Sequence, residues 1–301
     1  MKIFINAFWG GFVENIDPNK FFVFQKIFEE VFNEKIEVGN IDESDILFES
    51  CFSDRTFINY KKWKYTFFFN GESTKRIASF FQNNNERIEA MNKFDCILTG
   101  RFTNKEKRIV NMPLFLVYIY SNNYLNNLLN PVIYNHVPTK KICAVISNGN
   151  SSKRNYILDM IGKRINIDYA GNFRNNVPKV NGTYNSDDIL NFYSQYKFVI
   201  CMENEKQETY ITEKIVNGFL SKTIPVFWGS NYVINYFNEK RFINISNIHP
   251  YVINNAINRM LSIINDDNKY LEVINQPIFK DNKLNITDID VIKDIKSVLF
   301  E

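Results

Sequence analysis

Glu203 and Asn204 follow the apolar run Phe198 to Met202, and Glu213 and Lys214 open an amphipathic segment shortly afterwards. A short, continuous apolar run is what a strand buried on both faces of a parallel sheet requires. In open α/β sheets, ligands bind beyond the C-terminal ends of the strands, where Glu203 and Asn204 stand. Ile215, Val216, Phe219 and Leu220 recur at helical spacing, so a helix is expected from Glu213, with Thr212 as its N-cap and the threonine hydroxyl accepting a first-turn amide. A helix N-terminus with a lysine beside it is a ready anion site; the alternative is an ordinary solvated helix end. Ile224 to Trp228 reads as the next strand, closed by Gly229-Ser230. Together these pieces make half of a nucleotide-binding α/β unit.

Two further places carry chemistry. Glu72 follows the strand-like run Tyr65 to Phe69 and a glycine, a station that suits proton abstraction, unless it is a loop glutamate facing water. The loop Ser147 to Arg154, after the strand Ile142 to Ile146, contains Asn148 and the cations Lys153 and Arg154 among small donors. It either lies against a phosphate or sugar, or forms a surface turn. No serine–histidine constellation is visible, and His136 and His249 sit among loop signals. Asp187-Asp188 and Asp266-Asp267 do not end strands, so they read as helix-start and turn carboxylates and not as a metal site.

The elements needed to position these residues follow in order. Strands are expected at Lys2 to Asn6, Asp45 to Phe48, Tyr65 to Phe69 and Phe94 to Leu98, with a helix from Asn19 bearing Phe21, Phe24, Ile27, Phe28 and Val31 on one face. Leu125 to Thr139 breaks the pattern and reads as an interdomain link. A second set follows: strand Ile142 to Ile146, a helix from about Asn155, strand Ile167 to Ala170, the central unit above, helix Tyr232 to Phe237, strand Phe242 to Ile245, a long helix from Tyr251 to Ile264, and a final helix from Ile286 to Phe300. The reading is therefore an α/β chain of two Rossmann-like domains, 1–137 and 138–275, with a helical tail, 276–301, packing back on the first.

With 301 residues, 45% hydrophobic and 23% charged, the chain is long enough for two cores and its composition argues against wholesale disorder. A net charge of +3 without a clustered basic stripe argues against a nucleic-acid partner. Cys51, Cys96, Cys143 and Cys201 are far apart in apolar runs and are expected as buried thiols. The N-terminal stretch is too short and polar for a signal peptide or anchor, and Val110 to Tyr120 is too short to span a membrane, so a soluble, cytoplasmic protein is expected.

The segment Tyr196 to Ser230 resembles the donor-binding motif of the α1,3-fucosyltransferases, glycosyltransferase family ten, written Y-K-F-x-x-x-F-E-N, a loop, Y-V-T-E-K, a helix and P-x-[FY]-[WY]-G. Tyr196, Lys197, Phe198, Glu203, Asn204, Tyr210, Thr212, Glu213, Lys214, Pro225, Trp228 and Gly229 keep its order and spacing; Met202 replaces the usual phenylalanine. Gly71-Glu72-Ser73 stands where the family has G-E-N, Arg174 where it has an arginine followed by asparagine, and Trp9 within its aromatic-Trp-Gly.

The resemblance implies a GT-B architecture, its two domains facing each other across a cleft. The second half would hold GDP-fucose and the first a glycan acceptor. Glu72 would be the general base of an inverting transfer of L-fucose to a hydroxyl such as the 3-OH of GlcNAc. Arg174 and Lys214 would stabilise the departing GDP; Glu213, Tyr210 and Asn204 would contact the nucleotide, with Asn148 and Arg154 on the same donor side. Trp9 would shape the acceptor cleft, if it is not a core tryptophan. No metal would be obligatory, a divalent ion being at most stimulatory. The alternatives are a GT-B transferase using another nucleotide sugar and an inactive glycan-binding relative.

Overall fold

Apolar runs too short for helices become parallel strands, and the amphipathic segments between them cover the faces. The computed structural model describes residues 1–8, 18–50, 52, 60–72, 92–100, 108–182, 186–284 and 290–301, and divides into two units. The first comprises Met1–Tyr124, Glu208–Tyr210 and Asn285–Glu301; the second comprises Leu125–Gln207 and Ile211–Leu284.

In the first unit, β1 (Lys2–Asn6), β2 (Glu37–Val38), β3 (Ile46–Glu49), β4 (Tyr65–Asn70), β5 (Cys96–Thr99) and β6 (Ile109–Asn111) form one parallel sheet in the order β2-β1-β3-β4-β5-β6. Helix α1 (Pro18–Phe32) lies on it through phenylalanines. Phe24 and Phe28 stand 4.8 and 5.2 Å from the Phe48 ring, and Phe28 is 4.8 Å from Phe67. Tilted and edge-on contacts of this kind add about 0.5–1.5 kcal/mol each beyond area burial. They give Phe24, Phe28, Phe48 and Phe67 a structural use. Helix α2 (Leu114–Ser121) and the terminal helix Val291–Phe300 also pack on α1, the latter burying Val291 and Ile295.

The second unit holds β7 (Lys140–Ala144), β8 (Asp168–Tyr169), β9 (Tyr196–Met202), β10 (Ile224–Trp228) and β11 (Ile243–Asn244), parallel and ordered β11-β10-β9-β7-β8. Period-two alternation sends Phe198, Ile200 and Met202 of β9 into one core, with Ile157 and Ile161 of α4 (Ser152–Gly162) and Ile253, Ile257 and Met260 of a helix at Pro250–Ile264. Val199 and Cys201 enter a second core with Ile189 and Tyr193 of α5 (Asp187–Tyr193). Both faces of β9 are thus covered, the reason its sequence is apolar from Phe198 to Met202. Cys96, Cys143 and Cys201 are buried free thiols, and burial pushes the Cys143 thiol well up; Cys51 lies outside the described residues.

Some elements differ from expectation. The expected link begins with a short helix, α3 (Leu125–Leu129), and is then tied to the second unit by reciprocal bonds between Tyr134 and Asn275, in which the Tyr134 amide donates to Asn275 Oδ1 at 2.7 Å. The Asp266-Asp267 pair opens an unforeseen helix, Asp267–Ile274, because Asp266 Oδ1 accepts the amides of Asn268 and Lys269. Buried Lys197 stitches that helix to its predecessor, donating to Asp267 Oδ1 at 2.7 Å and to the Ile264 carbonyl at 3.0 Å. Among the described residues, no helix is long and apolar enough to cross a membrane.

Candidate functional site

The strand order of the second unit creates its crevice. From β7 the chain passes through α4 to β8 on one side; from β9 it passes through α6 (Glu213–Leu220) to β10 on the other. The loops after β7 and β9 therefore part company at neighbouring strands, which is the topological switch point of an open α/β sheet. A cavity of about 330 Å³ lies there. Ile146, Ser147 and Asn148 after β7, Asn204 after β9, Arg154 of α4 and Lys214 of α6 line it, while Ile189, Tyr193, Ile200, Met202 and Asn217 supply the buried remainder.

The cationic wall is built to keep its shape. Arg154 is 2% exposed, donates from Nη1 to Asn204 Oδ1 at 2.8 Å, and reaches the Asn148 carbonyl from Nη2. The Asn148 loop is braced from behind: a Cβ on Gly149 would lie 2.5 Å from the Phe173 ring, and one on Gly171 would strike the Ile146 backbone. Gly171 accepts a backbone approach, and Gly149 a ring approach, that a Cβ would obstruct.

On the other wall, Thr212 is the N-cap of α6, but its hydroxyl does not cap the helix as expected. It lies 2.9 Å from both oxygens of Glu203 and donates to that carboxylate, while the Thr212 amide donates to Glu203 Oε1 at 2.8 Å. A buried carboxylate is the stronger acceptor and takes the hydroxyl hydrogen. The hydroxyl oxygen in turn accepts from Lys214 Nζ at 2.9 Å. Lys214 pairs with Glu203 at 3.1 Å and with Glu213 at 3.3 Å. Burial raises the Glu203 pKa; the Lys214 charge opposes that rise.

Of the residues expected on the donor side, Asn148, Arg154, Asn204 and Lys214 meet at this cavity. Glu213 touches it only through Lys214. Arg174 is not among the lining residues: its guanidinium pairs with Asp159 at 2.6 Å and lies over the Phe173 ring, 4.9 Å from the centroid. Its backbone is left-handed, φ 57°, and is held there by the Asn175 and Asn176 side chains bonded to the Tyr169 backbone. Tyr210 is buried within the first unit, beside Thr209, whose amide donates to the Gly100 carbonyl at 3.2 Å. Glu72 follows β4 there, half-buried; its amide donates to Asn70 Oδ1 at 3.1 Å and its carbonyl accepts from Asn70 Nδ2 at 2.7 Å. Trp9 lies outside the described residues. Asn217, one helical turn inside Lys214, escaped sequence reasoning; its signal was its i+3 spacing from that lysine. Among the described residues, no group of three or more His, Cys, Asp or Glu could hold a metal ion.

Two parallel α/β sheets, one with a ligand-sized crevice at its switch point, define an α/β protein of the GT-B class. Residues 136–275 match the model of the family described as Glycosyltransferase family 10 (fucosyltransferase) C-term. It is 33% identical over 144 residues to "Alpha-(1,3)-fucosyltransferase FucT" of Helicobacter pylori, covering 48% of this chain and 28% of that protein. It is 30% identical over 150 residues to "Putative fucosyltransferase R654" of Acanthamoeba polyphaga mimivirus, covering 47% and 24%. The match thus spans about a quarter of those relatives' lengths. A crystal structure of an α1,3-fucosyltransferase with GDP-fucose shares the fold with a TM-score of 0.67 at 21% identity, covering 100% of this chain and 90% of that one.

Proposed function

We propose that the chain transfers L-fucose from GDP-β-L-fucose to a hydroxyl of a glycan, the 3-OH of GlcNAc or a similar sugar. The observation that carries this reading is the switch-point cavity, where Arg154 and Lys214 stand beside Asn148 and Asn204. Two cations at the N-terminal ends of two helices suit a diphosphate. The family-10 domain over residues 136–275 supports fucose as the group moved, and the relatives' names support the α1,3 linkage.

The reaction is a single displacement. An acceptor O–H gives its proton to the Glu72 carboxylate as the oxygen bonds to the anomeric carbon of fucose. The bond from that carbon to the β-phosphate oxygen breaks, GDP leaves with the electron pair, and the configuration inverts. Lys214 and Arg154 stabilise the charge gathering on the diphosphate, and Arg174 assists if its pairing with Asp159 exchanges for phosphate. One preorganised donor of this sort is worth about 10²–10³ in rate.

Melting curves with GDP, UDP, ADP and CMP, each with and without magnesium and manganese, test the donor site. A ligand present at 100 times its Kd stabilises by about 2.7 kcal/mol. A response to GDP without metal, followed by transfer of labelled fucose from GDP-fucose to GlcNAc-containing glycans, is the expected result. A response to UDP alone points to another nucleotide sugar; no response to any nucleotide points to an inactive glycan-binding relative.

A further inference from the structure

Glu203 occupies a motif position to which the resemblance gives no task, yet the structure restrains it on several sides. Its side chain is fully buried. Its amide continues the sheet by donating to the Trp228 carbonyl at 2.8 Å, and its methylene carbons fill the space where a Cβ on Gly229 would lie, 2.8 Å from Glu203 Cγ. The Thr212 amide and hydroxyl hold its carboxylate at 2.8 and 2.9 Å. Glu213, the other carboxylate beside Lys214, is 16% exposed and makes the longer contact, 3.3 Å against 3.1 Å.

An ammonium has three hydrogens. Thr212 Oγ1, Glu203 and Glu213 all face that ammonium, so an anion approaching Lys214 competes with them for its hydrogens. The hydroxyl and Glu203 are locked to each other and to the backbone. Among the described residues no such lock holds Glu213, which is the group able to swing aside.

We propose that Glu203 is the positioning residue of the site: it anchors the Lys214 ammonium in the cavity wall, while Glu213 is the exchangeable carboxylate that gives way to the anionic group of the ligand. This rests on the reading of the cavity as a diphosphate site. Electrostatics alone predicts that neutralising either carboxylate tightens anion binding, because each repels an incoming negative charge. Anchoring predicts opposite signs for the two.

The experiment measures the Kd of inorganic pyrophosphate, which has no ribose, by calorimetry. Glu203→Gln weakens binding about tenfold, and does so by less than about twofold when Lys214 is already methionine, the signature of two residues acting as a unit. Glu213→Gln tightens binding. Glu203→Asp, which keeps the charge, serves if the glutamine variant does not fold, and its expected weakening likewise vanishes in the Lys214→Met background. Tighter or unchanged binding in Glu203→Gln, or the same loss with and without Lys214, overturns the proposal. If the wild type binds neither pyrophosphate nor GDP, the diphosphate reading fails. Glu203 is then judged by amine labelling of Lys214, which is faster in Glu203→Gln if the anchor is real and unchanged if it is not.

Discussion

Arg154 Nη1 lies 2.8 Å from Asn204 Oδ1, so the first turn of α4 is tied to the loop after β9 across the mouth of the crevice. One arginine, 2% exposed, thereby sets the spacing of the two loops that line the cavity. Arg154→Ala removes that tie together with the bond to the Asn148 carbonyl, two charge-assisted hydrogen bonds whose loss costs about 1–3 kcal/mol. Denaturant midpoints measure the loss, and calorimetry should show weaker GDP binding. Retention of both wild-type stability and GDP affinity would count against this role.

Lys214→Met reads the charge of the opposite wall through pH. The Glu203 pKa is raised above 4.5, and the groups facing it are Lys214 and Glu213 of α6 and the Cys201 thiol. A carboxyl raised in this way holds a proton in the folded state that the unfolded chain has already released. Its contribution to stability therefore falls as pH climbs from 4.5 to the folded value, then levels off. Without the lysine the folded value rises further, so in Lys214→Met the fall extends to higher pH. Urea midpoints from pH 4.5 to about pH 8 compare the two proteins; parallel curves would remove Lys214 as the charge that compensates Glu203.

Gly171→Ala places a methyl against the Ile146 backbone, which cannot move aside as a side-chain tip would. Overpacking of this kind costs about 1–3 kcal/mol. Because Ile146 leads directly into the Asn148 loop, melting temperature and GDP affinity should fall together. A neutral alanine variant would show that the loop relaxes freely.

Glu72→Gln separates chemistry from donor binding. With Glu72 as base, transfer from GDP-fucose drops by about 10²–10⁴, while the Kd for GDP stays near the wild-type value. Full transfer in this variant would take the base role from Glu72.

Much of this arrangement is legible in the linear chain because the signals are local. A parallel strand covered on both faces needs an unbroken apolar run, and Phe198 to Met202 and Ile224 to Trp228 supply two. The helix beginning at Glu213 announces itself by 3.6-residue spacing. The helix at Asp267–Ile274 was missed because Asp266-Asp267 suits a turn as well as a cap; the choice depends on Lys197, far away in sequence, holding Asp267.

The sequence by itself determined the parallel α/β elements, the family motif and the set of charged residues able to meet a phosphate, since periodicity and spacing are properties of neighbours along the chain. Only the tertiary structure decided which of those charges share a site. It brought Arg154, not Arg174, to the cavity wall: Asn204 accepts the first, while Asp159 and the Phe173 ring hold the second. It also turned Glu203 inward beneath Lys214 and left Asn204 exposed beside it. A long side chain has many rotamers and several partners within reach, and which one wins is set by burial and by groups that meet only after the strands have paired.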